Sequence, residues 1–170
     1  MLIQIESSRG RTESVDTGAQ RKLSVRLARS WGEVEAAQRL RWRVFAGELG
    51  AKIDSKSVGL DHDRFDDHCD HLLAIDGLTG RVVGTYRILP PERAQRIGGG
   101  YSETEFDLKP LDSLRSSMAE IGRSCIDPAW RGSAALGMLW SGLFMYAKER
   151  KYRYMAVSYT HLTLPTILLV

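Results

Sequence analysis

Apolar side chains recur with a regular period only after about residue 22. Residues 1–21 mix Ser, Arg, Gly, Thr and Glu without periodicity and read as a disordered polar arm. Residues 23–28 then alternate as a first strand. Ser30 followed by Glu33 has the spacing of a capping box. Val34, Ala37, Leu40, Val44 and Phe45 recur at helical intervals up to a stop at Gly50, so one amphipathic helix carrying Arg39, Arg41 and Arg43 is predicted. Two β-rich runs, 72–75 and 82–89, flank the turn Asp76-Gly77-Leu78-Thr79-Gly80 and predict a hairpin ended by Pro90 and Pro91. A Gly-rich loop at 98–100 precedes a predicted strand at 118–126 and a turn at Pro128. Leu136, Leu139, Trp140, Leu143, Phe144 and Ala147 form one apolar helical stripe, and a last strand starts near Tyr152. Strand, helix, hairpin, then strand-helix-strand predicts an α/β (α+β) domain: a mixed sheet with helices on its faces.

Composition narrows the class. The 170 residues are one domain's worth, and 43% hydrophobic with 26% charged residues is ordinary for a globular chain with one core. A net charge of +3 without a dense Lys/Arg run argues against nucleic acid as a partner and favours an acidic protein. Cys69 and Cys125 stand far apart and offer neither a disulfide framework nor a zinc pattern, which suits a reducing cytoplasm. The apolar run at 136–147 is interrupted by Ser141 and Gly142 and is shorter than the roughly 20 residues of a membrane span.

Six motifs follow in order: R-W-R-V-F at 41–45, G-L-D-H-D-R-F-D at 59–66, C-D-H-L at 69–72, G-T-Y-R-I-L at 84–89, Y-S-E-T-E-F at 101–106 and E-I-G-R-S-C at 120–125. Together, over residues 22–156, the chain resembles the ornithine-lipid N-acyltransferases, also called hemolysin-like GNAT proteins. It is more distantly similar to the acyl-homoserine lactone synthases. The resemblance implies a GNAT-like, mostly antiparallel sheet and no metal or bound cofactor. It also implies attack of an amine, the α-amine of L-ornithine, on a (3-hydroxy)fatty acyl thioester carried by the phosphopantetheine of acyl carrier protein. The product would be lyso-ornithine lipid, whose destination leaves room for peripheral association with the inner membrane.

This chemistry needs a base, because an amino acid's ammonium group must lose a proton before its nitrogen attacks. Glu120, on the strand expected at the centre of the sheet, is the candidate, with Arg123 beside it; the alternative is a structural ion pair of Glu120 with Arg123 or Arg87. Backbone N–H groups at a kink near Ser124 and Cys125 would receive the oxyanion. Asp61 and Asp66, in the unusual Asp/His stretch at 61–71, are candidates for holding ornithine's ammonium groups. Arg41, Arg43 and Arg87 are candidates for the carrier protein or the substrate carboxylate. Arg131, Gly132 and Ser133 precede the second long helix where the superfamily's acetyltransferases carry a pyrophosphate loop, but the full spacing is not met. That departure favours carrier protein over coenzyme A; the alternative is a simple turn and helix cap. Trp42 and Phe45 either line an acyl pocket or belong to the core.

Two competing readings remain. A lactone synthase would need an S-adenosylmethionine site, and the Trp-bearing segment of that family is not evident at 50–60. A non-enzymatic module would hold a metal with the Asp/His loop, which lacks the EF-hand's Gly and terminal Glu. Residues 157–170 depart from the resemblance and look like a translated sequencing adapter, so the expected domain, 22–156, is incomplete. Activity is expected of the full-length parent, while this truncated chain is not required to be active.

Overall fold

A computed structural model describes residues 2–4, 22–55 and 57–157, of which 2–4 only as backbone. Six strands make one sheet: β1 (Leu2–Gln4), β2 (Leu23–Leu27), β3 (Asp70–Asp76), β4 (Val82–Leu89), β5 (Met118–Ile126) and β6 (Tyr154–Val157), in the order β1-β6-β5-β4-β3-β2. All neighbours are antiparallel except β5 and β6, which run parallel from Met118↔Tyr154 to Ile121↔Val157. Leu2–Gln4, expected in the polar arm, is therefore a paired edge strand; the rest of the arm and residues 158–170 lie outside the described residues.

Helix α1 (Trp31–Trp42) continues into a wider turn, Arg43–Glu48, before Gly50 leaves it with φ +67°. The Ser30 hydroxyl accepts from the Glu33 N–H, as a capping box requires. The Glu33 carboxylate instead accepts from the Arg29 N–H at 2.7 Å and binds Arg26, which lowers its pKa to about 2. Two short helices, α2 (Pro91–Arg96) and α3 (Ser102–Glu105), and the tight turns at Lys109–Ser117 bridge β4 to β5. Helix α4 (Ala135–Arg150) ends at Lys151 in the left-handed conformation.

The two long helices cover opposite faces of the sheet. Leu139 and Leu143 of α4 pack with Leu72, Tyr86, Ile88 and Ile121, whereas Ala37, Leu40 and Val44 of α1 pack with Leu73, Ile75, Val82 and Cys125. Gly142 allows α4 its close approach: a Cβ there would stand 2.7 Å from Val25. On the α1 face, β4 presents Thr85, Arg87 and Leu89, and β5 presents Glu120 and Gly122; this face carries the site.

Candidate active site

The β4–β5 register shifts in mid-strand. Thr85 faces Cys125 and Arg87 faces Gly122, so Tyr86 alone opposes two residues, Arg123 and Ser124. This is a β-bulge, and Arg123 adopts φ +48°, a region that side-chain-bearing residues rarely occupy. The kink expected near Ser124 and Cys125 is thus present, one residue earlier than expected. Among the described residues β5 pairs with β6 only as far as Ile121, so the bulge lies beyond that pairing.

Glu120 lies just before the bulge. Its carboxylate accepts from the Ser102 N–H at 3.0 Å, and Gly100 lies so close that a Cβ there would overlap it. Burial pushes its pKa above the ordinary carboxylate value, only partly offset by the Ser102 hydrogen bonds and the Arg87 charge. It forms no ion pair with Arg87 or Arg123. The carboxylate stands between two spaces. A cavity of about 50 Å³ is bordered by Phe65, Arg87, Tyr101, Glu120, Gly122 and Arg123. A cleft of about 770 Å³ runs from Glu120 past Leu89, Gly100, Leu108, Met118 and Ala156, a size that suits a small organic ligand.

Three arginines and three aspartates close a ring beside this cavity. Arg41 donates to Asp61 at 2.9 Å and to Asp66 at 2.6 Å. Arg87 donates to Asp66 at 3.0 Å and to Asp63 at 2.7 Å. Arg123 donates to Asp63 at 3.4 Å, and its Nε lies 3.3 Å from Asp61. Every member meets two of opposite sign, so the ring is neutral. Burial alone would raise the Asp66 pKa, but the charges of Arg41 and Arg87 hold it well below the usual carboxylate range. Burial and the Arg41 charge lower the pKa of His71, which sits 3.3 Å from the Asp66 carbonyl oxygen.

The ring corrects the expectations for Asp61, Asp66 and Arg41. Asp61 and Asp66 are 1% exposed and already hold guanidinium groups, so they do not present free carboxylates to a substrate's ammonium groups. Arg41 is 0% exposed and cannot touch a carrier protein. Arg87, Arg123 and Tyr101 do line the cavity, with the Arg123 guanidinium 5.4 Å from the Tyr101 ring centre. Asp61, Asp63, Asp66 and Asp70 of the Asp/His stretch pair with arginines, Asp67 stands exposed beside His62, and no three His, Cys, Asp or Glu groups converge as a metal would require among the described residues. Phe45 packs against the α1-face core.

The remaining candidates gather at the far end of β5. Arg43 and Arg81 share Asp127, at 3.4 Å and 3.8 Å, and Arg131 pairs with Glu48. Gly132 takes φ +76°, and the Ser133 hydroxyl accepts from the Ala135 N–H at 3.2 Å in a turn just ahead of α4, whose N-cap position is Ala134. Residues 131–134 are exposed.

The family model of the acetyltransferase (GNAT) domain matches residues 40–141, from Leu40 of α1 through the bulge to the middle of α4. The chain belongs to this GNAT family. An L-ornithine N(alpha)-acyltransferase of Rhodobacter capsulatus is 44% identical over 130 residues, covering 72% of this chain and 50% of that protein. One of Brucella abortus is 39% identical, covering 75% and 48%. The chain thus spans about half the length of the curated relatives it matches. Among solved structures, a CoA-dependent acyl-homoserine lactone synthase superposes with a TM-score of 0.57 at 19% identity over 79% of this chain and 69% of that one. An N-acyl amino acid synthase from uncultured soil microbes gives 0.56 at 18% over 80% and 70%. These two likenesses show the GNAT-like fold. No helix among the described residues is long and apolar enough to cross a membrane.

The residues missed by sequence reasoning are Gly100, Tyr101 and Ser102 of the α2–α3 segment, which frame Glu120, and Asp63, the ring aspartate that is partly exposed. Y-S-E-T-E-F had marked Tyr101 and Ser102 without a role.

Proposed function

We propose that the protein transfers a (3-hydroxy)fatty acyl group from acyl carrier protein to the α-amine of L-ornithine, giving lyso-ornithine lipid. The observation that carries this reading is Glu120. It is a half-buried carboxylate without an arginine partner, with a raised pKa, placed between a narrow cavity and a large cleft and next to a strained bulge. The names of the curated relatives supply the amine and the reaction class.

In this mechanism Glu120 takes a proton from the substrate ammonium, and the freed nitrogen attacks the thioester carbonyl carbon. N–H groups of the bulge at Ser124 and Cys125 receive the oxyanion. The C–S bond then breaks, the nitrogen's second proton passes to the departing sulfur, and the carrier leaves as its free thiol. Arg87 and Arg123, which face the narrow cavity, suit the substrate carboxylate, since a guanidinium pairs with it in a plane. The acyl donor, and not a bound cofactor, brings the phosphopantetheine; Arg131, Gly132 and Ser133 flank its entry at the α4 N-terminus. Arg43, with the newly placed Arg81, offers an exposed basic surface beside it for the acidic carrier.

The test is Glu120→Gln in the full-length protein, with acyl carrier protein thioester and L-ornithine and the product identified by mass spectrometry. Turnover should fall by about 10²- to 10⁴-fold, with partial recovery as pH rises and free amine accumulates. A variant of lower melting temperature but normal turnover and no pH response would remove Glu120 from the mechanism.

A further inference from the structure

Arg41 reaches neither cavity, yet it is the best-buried member of the ring and touches both of its fully buried carboxylates. From the geometry we infer that Arg41 is a positioning residue: acting through Asp61 and Asp66, it holds Arg123 and Arg87, and thereby the β5 bulge, in register with Glu120. The inference deepens the acyl-transfer reading and rests on it for its kinetic arm only.

Three observations converge on this role. The first is backbone strain. Arg123 has φ +48° without being glycine, and such a conformation persists only where surrounding contacts over-determine it. The contacts that do so are on its own side chain: Asp61 on one side, Asp63 on the other, and the Tyr101 ring alongside. The second is how those aspartates are themselves fixed. The Asp61 carboxylate and its main-chain carbonyl both accept from the Arg41 guanidinium, so loop and side chain are held together; Asp63 is tied to Arg87, and Asp66 joins Arg87 back to Arg41. The third is placement. Arg123 and Arg87 stand on β5 and β4 on either side of the register shift, so the ring spans the bulge from both strands. A lysine at position 41 keeps the charge, but its single ammonium cannot reproduce a planar fork directed at two carboxylates and a carbonyl.

The experiment combines kinetics with the backbone amide NMR shifts of Ser124 and Cys125, on the full-length protein and its Arg41→Lys variant. Arg41→Lys is expected to move both amides and to lower kcat by about 10- to 100-fold, the scale of a misplacement near 1 Å, while KM for the acyl donor changes less than about twofold. Should Arg41→Lys fail to fold, Asp61→Asn opens the ring between Arg41 and Arg123 and gives the same readings. Arg123→Gly supplies the control, because glycine takes φ +48° unaided. In that background Arg41→Lys should cost much less kcat than in the parent. Unmoved amides at 124 and 125, an equal loss of kcat in both backgrounds, or a rise in KM for the amine with kcat unchanged would each overturn the inference. The NMR arm is read on the free protein, so it stands whether or not ornithine is the amine, and Glu120→Gln tests that reading separately.

Discussion

Gly100→Ala is the smallest change that attacks the site from outside the sheet. The added methyl would overlap the outer carboxylate oxygen of Glu120 and lie 3.1 Å from its Cδ and 3.7 Å from a Leu89 methyl. Gly100 has no positive φ, so the backbone itself accepts alanine and the effect is one of contact only. Glu120 must swing away and give up the 3.0 Å bond from the Ser102 N–H. Losing a hydrogen bond to a charged acceptor costs about 1.5–3 kcal/mol, which for a chain of this size corresponds to a fall in Tm of roughly 3–12 °C. A base displaced by about 1 Å costs on the order of 10²-fold in rate. Thermal melts and steady-state kinetics on Gly100→Ala should therefore show both losses. Glu120→Asp, shorter by one methylene, should recover Tm in the double variant without recovering kcat. Wild-type Tm and kcat in Gly100→Ala would refute the claim that the 100–102 segment fixes the position of Glu120.

Asp66→Asn leaves Arg41 and Arg87 facing each other without their shared carboxylate, and should destabilise the fold by about 3–5 kcal/mol in denaturant titrations. The same residue sets an acid limit. Its pKa is depressed in the folded state, so its contribution is present above the unfolded value near 3.8 and is lost as pH falls; melts of Asp66→Asn should show a weaker decline through that window. Glu120 has the opposite sign, its pKa being raised by burial: its contribution is present at acid pH and is lost as pH rises through the folded value. Burial pushes both the Cys69 and Cys125 thiols up to about 12, so iodoacetamide at pH 8 should label the native protein far more slowly than the denatured chain, as followed by mass spectrometry.

The elements whose periodicity is long enough to exceed chance were legible in the sequence. The α1 stripe, the 82–89 and 118–126 strands and the α4 stripe all occur where the pattern places them. Strand β1 was not legible, because three residues in a polar arm become a strand only through pairing with residues some 150 positions away. Helices α2 and α3 are four to six residues long and too polar to show a stripe. The Asp/His stretch stood out by composition, but its chemistry was misread because its partners Arg41, Arg87 and Arg123 lie 20 to 60 positions away in the chain. One signal did point to the ring: Arg41 falls within the apolar stripe of Ala37, Leu40 and Val44, and a cation on the buried face of a helix needs carboxylates opposite it.

The short pairing of β1 with β6 has a consequence for handling the protein. Strand β6 buries Met155, Ala156 and Val157, runs parallel to β5, and among the described residues has its other side covered by Leu2–Gln4 alone. If those first residues are cut away or masked by a fused tag, an apolar Tyr-Met-Ala-Val edge is left with an open row of peptide groups, and such an edge invites a strand from another molecule. Colloidal behaviour is therefore tied to the intactness of Leu2–Gln4.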